Sequence, residues 1–453
     1  MNIENRVIRL PVRGREQWLD LVAGTLVREV EEDAYPLRYA ITRIDDGVAW
    51  LELTLASGWR EVLGSAERPP VLLPPRRKRY QTRPFAVVQV VPTGVRCEFG
   101  GYAGDATPVT NLLAASAELL VTHPNAVNAS DLNEMAENVL YVEGRSLDDF
   151  LLGHLGLLPA SANRIGTFVD PAGLDYLEEV TACLDAARAV AGIDCDRYRM
   201  LQESLGVAIE WSATGCAVGT VRNPEVVVAA VAGLISEGAQ AIGGLSVIHG
   251  VDGDMFRRHL SGELPNPSGG IEAILTHLIS ALFRVPTAHA PLPYYRALKG
   301  RSTRNPRAAA EFISTPHYFS VLKGLARAPR LVPLGSTAEP PGHAITLDHV
   351  GAIVMPASCL GGLPALAAEA SAIPLIAVQE NRTILEVTNA KMGMVNVVVV
   401  SSYLEAAGVV LALRRGLSLE SLRRPLGTAR KAAWAEQVLQ SAEEIRQATS
   451  VAP

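Results

Sequence analysis

Cysteine and long apolar runs are scarce in this sequence, and each scarcity excludes a class of protein. The five cysteines among 453 residues form no CxxC pair, so the sequence indicates neither a disulfide framework nor a structural zinc site. The longest apolar run covers residues 226–235. A membrane-spanning helix requires about 20 apolar residues, so we expect no membrane partner.

An excess of basic residues and a leader segment are also missing. Lys and Arg number 41 against 47 Asp and Glu, which gives a formal net charge of −6 and argues against a nucleic-acid partner. The N-terminal residues contain no uninterrupted apolar stretch of the kind found in a signal peptide. We therefore expect a cytoplasmic protein, and homo-oligomer formation stays open.

Cofactor signatures are absent as well. Neither a GxGxxG motif nor a Walker A loop occurs, so no dinucleotide or P-loop nucleotide is indicated and the cofactor is left undetermined. No HxH or HExxH spacing fixes a metal. Ligands spread through the fold can still converge, so a metal stays an open alternative. Hydrophobic residues make up 48% of the chain, which is typical of a globular protein.

Composition and turn signals divide the chain into four parts. Residues 1–63 carry the strand and helix patterns of a small α+β accessory domain, and residues 64–84, rich in Pro and Arg, are typical of a linker. The remaining chain is expected to form two α/β lobes, residues 85–205 and residues 206–453, the second ending in C-terminal helices.

From residue 85 onward, short β-branched runs alternate with Ala- and Leu-rich helices. Proline follows a capping residue at the predicted helix starts Thr107-Pro108, Asp170-Pro171, Asn223-Pro224 and Asn305-Pro306. Strands that are apolar on both faces and alternate with helices indicate a parallel sheet covered on both sides. The predicted fold is α/β, a mainly parallel, doubly wound, Rossmann-like sheet in two lobes, preceded by the small α+β domain.

Two polar loops of the first lobe lie where parallel sheets bind ligands, beside the ends of strands. The first is a glycine-rich turn that contains Gly100, Gly101 and Asp105. The second follows a predicted helix that ends at Val121, and it contains His123, Asn125 and Asn128. Glycines allow a ligand to approach the backbone, and Asn side chains can orient a carbonyl. We predict Asp105 and His123 as proton-transfer residues; the alternatives are a turn without a ligand and a histidine bonded to backbone.

Two loops of the second lobe follow predicted strands directly. The first contains Ser358, Gly361 and Gly362, and the second contains Glu380, Asn381 and Arg382. Arg382 suits a carboxylate or a phosphate, and Glu380 suits proton transfer. An internal ion pair that shapes the loop is the alternative. Cys359 could act as a nucleophile, but an inert buried cysteine is the preferred interpretation.

Histidines outside these loops give weaker signals. His289 follows a short β-branched run and is predicted to bind substrate, although a structural role is equally compatible with the sequence. His249 follows a predicted strand that ends at Ile248, and a functional and a structural role are equally compatible with its position. His277 lies on the apolar side of a predicted helix, and this position favours a core histidine over a functional one.

Six motifs resemble, in order, those of a bacterial and cyanobacterial family known only as a domain of unknown function. They are GGYAGD (100–105), THPN with a second Asn (122–128), AHAP (288–291), PAS with GG (356–362), ENRT (380–383) and SYLEAAG (402–408). The resemblance covers about residues 85–425. The family has no assigned activity, so the resemblance supports the site positions and implies no reaction. Cys97 and Cys359 lie outside its pattern, which argues against a cysteine mechanism.

The sequence thus predicts a cytosolic enzyme that acts on a small anionic metabolite, a carboxylate or a phosphate, by acid–base chemistry. A hydrolase or a lyase is favoured over an isomerase, and an oxidoreductase is disfavoured because no dinucleotide fingerprint is present. The alternative is a non-catalytic module that binds a small ligand or regulates another protein.

Overall fold

A six-stranded parallel sheet forms the centre of the computed structural model. The structure describes residues 1–12, 17–31, 34–58, 83–102, 104–128, 135–292, 317–335 and 341–429. In spatial order the strands are β17 (Val397–Val400), β16 (Leu375–Val378), β15 (Val350–Pro356), β4 (Ala86–Gln89), β5 (Leu119–Thr122) and β6 (Val139–Tyr141). All five strand pairs are parallel, as the alternation of strands and helices predicts.

Helices cover both faces of this sheet because its strands are apolar on both sides. In β4, Ala86 and Val88 join one hydrophobic cluster and Val87 joins another, and all three side chains are buried. The helices on the face of Val87 are α2 (Thr107–Ser116) and α12 (Tyr403–Arg414). Those on the opposite face are α4 (Gly144–Leu151) and α10 (Leu363–Ala370). The predicted doubly wound α/β fold is confirmed.

A second parallel sheet has four strands. They are β13 (Thr287–Leu292), β12 (Ala241–Val247), β8 (Ile165–Val169) and β9 (Arg197–Met200). Its helices are α5 (Leu177–Ala191), α6 (Pro224–Ser236), α8 (Gly269–Phe283) and α9 (His317–Arg327). Helix α8 contacts both β13 and α4, so it connects the second sheet to the first.

The structure also contains smaller strand pairs and short helices. Two antiparallel pairs join β7 (Leu155–Leu158) to β14 (Arg330–Pro333) and β10 (Ala208–Trp211) to β11 (Ala217–Thr220). The remaining helices are α3 (Pro124–Val127), α7 (Gly253–Leu260) and α11 (Asn389–Met392).

The N-terminal unit is a three-stranded antiparallel sheet with one helix. Its elements are β1 (Asn2–Pro11), α1 (Trp18–Glu29), β2 (Ala34–Asp45) and β3 (Val48–Ser57). Two hydrogen bonds join it to the C-terminal part of the chain: Trp18 Nε1 donates to the Met392 carbonyl at 2.8 Å, and the Ile41 amide donates to the Gly361 carbonyl at 3.0 Å. The unit therefore packs against the six-stranded sheet.

The predicted boundary near residue 205 does not separate the two parallel sheets. Strands β4–β6 of the larger sheet precede the smaller sheet in the chain, and β15–β17 follow it. The chain leaves the larger sheet, builds the smaller one and returns, a path that depends on contacts between distant residues. Most of the predicted linker, residues 64–82, and the chain beyond residue 429 lie outside the described residues.

The contact between Gly361 and Ile41 allows a stability prediction. A Cβ on Gly361 would lie 1.9 Å from the Ile41 carbonyl oxygen, whereas a Cβ on Gly362 would meet nothing closer than Pro364 Cδ at 3.7 Å. We expect Gly361→Ala to destabilise the protein by about 1–3 kcal/mol, because backbone at this contact must move. Gly362→Ala is the matched control, and urea unfolding of both variants measures the difference. Equal stabilities would contradict the described contact.

Candidate functional site

A cleft lies between the two parallel sheets, where the carboxyl ends of β4, β5 and β6 meet α8 and β13. Ligands of parallel sheets bind at this end of the strands. We call it the central cleft; its lining includes Thr93, His123, Asn125, Asn128, Glu143, Gly144, Asn266, Glu272, Thr276, His277, His289 and Pro291. It encloses about 840 Å³ of empty space, part of which is open solvent.

Glu143 and His277 form the first carboxylate–histidine contact of the cleft. Glu143 precedes α4, and its Oε2 accepts hydrogen bonds from the backbone amides of Arg145 and Ser146 at 2.8 and 3.1 Å. Its Oε1 is hydrogen-bonded to Nδ1 of His277 and accepts from Thr276 Oγ1 at 3.1 Å. Each oxygen thus has a defined partner, so the carboxylate holds the ring in one orientation.

The charge of Glu143 is stabilised although the side chain is buried. Burial raises the pKa of this carboxyl, but His277 and the amide of Ser146 outweigh that effect and hold the pKa below its ordinary value of 4.5. Gly144 gives the ring room, since a Cβ there would lie 2.8 Å from Cε1 of His277. An ionised Glu143 favours a proton on Nδ1 of His277, which leaves Nε2 as an acceptor.

Glu272 and His289 form the second carboxylate–histidine contact. Nδ1 of His289 lies 3.4 Å from Oε2 of Glu272, and Nε2 lies 2.8 Å from Oγ of Ser246. A ring placed between a carboxylate and a hydroxyl donates through Nδ1 and accepts through Nε2. Ser246 is fully buried, so this chain of contacts begins in the four-stranded sheet and ends at the cleft.

The two contacts are reversed in which side chain, the histidine or the carboxylate, is the more exposed. In the first, the side chain of Glu143 is 1% exposed and that of His277 is 16% exposed. In the second, the side chain of His289 is 1% exposed and that of Glu272 is 20% exposed. The more exposed member is thus an imidazole in the first contact and a carboxylate in the second, and each is held by a buried partner of the other type.

His123 lines the cleft, but its ring is engaged by the backbone. The amide of Val91 donates to Nε2 of His123 at 2.9 Å. Burial lowers the pKa of His123 to about 4, against a smaller raising effect of Glu143. The ring is therefore neutral at pH 7 and positions the end of β4, and its Nε2 is engaged by the amide of Val91 rather than free for proton transfer.

The lowered pKa of His123 predicts a pH-dependent stability. Because the unfolded chain binds this proton near pH 6.5 and the folded chain only near pH 4, protonation favours unfolding. The contribution of neutral His123 to the free energy of unfolding is fully present above pH 6.5. It falls by about 3 kcal/mol as the pH drops to 4. His123→Gln should be less stable at pH 7 and should lose this part of the slope, as urea unfolding between pH 4 and 7.5 can measure. An unchanged slope would show that another group is responsible.

Asn125 and Asn128 line the same cleft and also have structural partners. Nδ2 of Asn125 donates to the carbonyls of Val91 and Pro92 at 2.9 and 3.2 Å. Tyr141 donates its hydroxyl to Oδ1 of Asn128 at 2.6 Å. These bonds fix the loops beyond β4 and β5, so the two amides face a ligand from defined positions.

Three predicted residues, Asp105, Glu380 and Arg382, lie outside the described lining of the central cleft. Asp105 accepts from the amides of Gly100 and Tyr102 at 2.8 and 3.3 Å, so its carboxylate closes the glycine turn. Glu380 accepts from the amide of Tyr403 at 2.6 Å, at the start of α12. Arg382 is 78% exposed and lies 3.9 Å from Glu98. These three side chains, which the sequence predicted as site residues, therefore do not join His123 at the central cleft.

The other predicted positions hold loops together. Ser358 bonds to the hydroxyl of Thr383 at 2.8 Å, and Asn381 bonds to the backbone of Phe99 and to Tyr403. The turn residues outside the lining of the central cleft are Gly100, Gly101, Gly361 and Gly362. Burial raises the pKa of the Cys359 thiol, so this cysteine does not supply a thiolate nucleophile.

Sequence reasoning missed Glu143, Glu272 and the position of His277. Glu143 lies two residues beyond the end of β6, so the rule applied to the other loops could have found it. Glu272 and His277 lie five residues apart on α8, and both reach the cleft. The apolar side of α8 faces the core, and the cleft opens at the edge of that side.

Among the described residues, no group of three or more His, Cys, Asp and Glu side chains is arranged to hold a metal ion. In the same part of the chain, no helix has the length and apolar character needed to cross a membrane.

Comparison with known proteins shows the family of this chain and a similar protein. A family model described as "Protein of unknown function (DUF3326)" matches residues 86–423. An uncharacterized lipoprotein of Synechococcus sp. is 34% identical over 342 residues, which is 75% of this chain and 94% of the relative. No solved structure matches the chain. The predicted membership in a family of unknown function is confirmed, and neither comparison supports a hydrolase or a lyase.

The relative also corrects the expected location. That relative is named a lipoprotein, and this name contradicts the prediction of a cytoplasmic location. That prediction rested on the absence of an apolar leader in the sequence.

Proposed function

The chain belongs to the family described as "Protein of unknown function (DUF3326)", and we propose that it is an enzyme that acts on a small metabolite by acid–base chemistry. The reversed pair of contacts in the central cleft carries this proposal. Buried Glu143 orients accessible His277, and buried His289 orients accessible Glu272. Two proton-transfer groups of different type, each held by a buried partner, are what general acid–base catalysis requires.

We assign the role of general base to His277. Its Nδ1 is held by Glu143, so Nε2 carries the lone pair that takes a proton from the substrate. Glu143 then stabilises the imidazolium that forms, in the way a buried carboxylate assists a catalytic histidine. Thr276 holds the same carboxylate oxygen from the side and limits the movement of Glu143.

We assign Glu272 as the second proton-transfer group of the cleft. The carboxyl group faces the cleft, and His289, fixed by Ser246, holds one of its oxygens. A base that removes a proton from the substrate or from water, and then returns a proton to the leaving group, completes an elimination or a hydrolysis. Hydrolase or lyase therefore stays the proposed class, and Asn125 and Asn128 are the side chains proposed to orient the substrate's carbonyl or amide.

The lining of the cleft argues against the anionic substrate that the sequence predicted. Its described charged side chains, histidines aside, are Glu143 and Glu272, and no Lys or Arg lies among its described lining residues. Arg382, from which the anion was inferred, is exposed and lies elsewhere. We propose a neutral or cationic reacting group instead.

A turnover screen tests the proposal. Purified full-length protein is incubated with a defined panel of small amides, esters, lactones and hydroxy acids, with and without an amino group, and mass spectrometry follows each compound. We expect one chemical class to be converted by the wild type and left unchanged by Glu272→Gln. Compounds that stabilise the protein against heat but are never converted would contradict the enzyme and favour a ligand-binding module.

A further inference from the structure

A second cavity adjoins the central cleft beneath the N-terminal unit. Thr93, His123 and His277 line both spaces, so the two meet at the proposed base. Strand β2 of the N-terminal unit contributes Arg38 and Tyr39 to the wall of this inner cavity. The N-terminal unit therefore shapes a space that is continuous with the proposed active site.

The walls of the inner cavity are mainly apolar. Leu147, Met355, Leu363 and Leu385 line it, together with Ile41 of β2. Apolar walls with a few polar groups are typical of a ligand site. A hydrocarbon segment of a ligand would replace water against these side chains at a gain of about 25 cal/mol per Å² of apolar surface buried.

Carboxylates dominate the charge of the joined spaces. Asp148 lies in the inner wall, and Glu143 and Glu272 lie in the central cleft. The cationic side chain in the described inner wall is Arg38, and its guanidinium lies 3.7 Å from the buried carboxylate of Glu52. That ion pair neutralises Arg38, so an excess of negative charge faces the ligand.

Asp148 is the carboxylate that an ammonium group in the inner cavity would meet. The nearby Arg145 forms an ion pair with Asp149. Burial raises the pKa of Asp148 to about 7, against the lowering effect of Arg145. Asp148 is half-buried in this wall, and an ammonium group in the inner cavity would supply a partner for its ionised form.

We propose that the inner cavity binds a small molecule with a primary ammonium group beside Asp148 and an apolar chain that leads to His277. This inference deepens the proposed function, and it rests on that function only for the statement that the bound molecule is converted. The substrate class is then an aliphatic amine with a reacting group at its far end. The N-terminal unit, through Tyr39 and Ile41, is part of its binding site.

Binding of three matched probes to the full chain tests the proposal. Pentylamine, pentanol and pentanoate share one chain and differ in the charge of the head group. At pH 8 and equal ionic strength, we expect calorimetry to show pentylamine binding most tightly and pentanoate most weakly. Asp148→Asn should weaken pentylamine by about tenfold or more, because a charge-assisted hydrogen bond is lost. Asp185→Asn, at an exposed carboxylate of α5, is the matched control.

The outcomes separate this inference from the proposed function. Pentanoate or pentanol binding as tightly as pentylamine in the wild type would overturn the inference, and this comparison needs no variant to fold. Equal pentylamine affinities of Asp148→Asn and Asp185→Asn would overturn it as well. Pentylamine binding that depends on Asp148, in a protein without turnover, would support the cavity assignment and contradict the enzyme.

Discussion

His277→Asn is expected to reduce turnover of the converted compound by about 10²–10⁴-fold, the contribution of a positioned general base. Asparagine keeps a polar side chain of similar length near Glu143 but offers no basic nitrogen at the position of Nε2. His277 lies at the cleft rather than in the core, with 16% of its side chain exposed. The variant should therefore fold, bind the compound and melt close to the wild type, and lose chiefly kcat.

His249→Asn is the matched control for this prediction. His249 is exposed and lies outside the described lining of the central cleft, so its replacement should leave kcat unchanged. Both variants are compared with the wild type in kcat, KM and melting temperature on the same preparation. A folded His277→Asn protein with full activity would remove His277 from the mechanism.

Glu143→Gln is expected to lower turnover by about 10²-fold and to destabilise the fold. Glutamine can still accept the amides of Arg145 and Ser146 through its oxygen, so α4 keeps its N-terminal cap. Its NH₂ group would then face Nδ1 of His277 and favour a proton on Nε2, which is the wrong tautomer for a base. This variant therefore tests the orientation of the His277 ring while it leaves the N-terminal cap of α4 in place.

The stability of this variant has a defined pH dependence. The folded pKa of Glu143 lies below its ordinary value of 4.5, so the ionised carboxylate stabilises the folded state above that pH. The stabilisation is lost as the pH falls through the folded pKa, and wild type and variant should then converge. Urea unfolding between pH 3 and 8 measures the gap, with Glu178→Gln, an exposed position on α5, as the control. A gap that widens toward low pH would contradict the assigned ionisation.

Local sequence patterns were sufficient to predict the fold class. The strands of the central sheet are apolar on both faces because helices cover both, and this burial leaves a readable run of β-branched residues. The order of strands was not predictable in the same way. Strand β4 pairs with β15, although the strands of the whole smaller sheet lie between them in the sequence. No local sequence pattern indicates that pairing.

The site was predicted only in part, because a local pattern shows which residues follow a strand but not what those residues contact. His123, Asn125 and Asn128 follow a strand and line the central cleft. Glu380 also follows a strand, yet it caps α12 instead, and the rule that polar residues after a strand face a ligand does not distinguish these two uses.

The central contact was hidden because its partners are distant in sequence. Glu143 and His277 are 134 positions apart, and only the docking of α8 against α4 brings them together. Taken alone, His277 has the apolar neighbours of a core residue, so helical periodicity assigned it to the interior.

The tautomer of His277 tests the central claim most directly. Nitrogen NMR of the uniformly labelled protein at pH 8, with the ring assigned through the His277→Asn variant, shows which nitrogen carries the proton. The contact with an ionised Glu143 predicts a protonated Nδ1 and an unprotonated Nε2 in the central cleft. A proton on Nε2 would mean that no basic nitrogen faces the cleft at this position, and it would contradict the assignment of His277 as the general base.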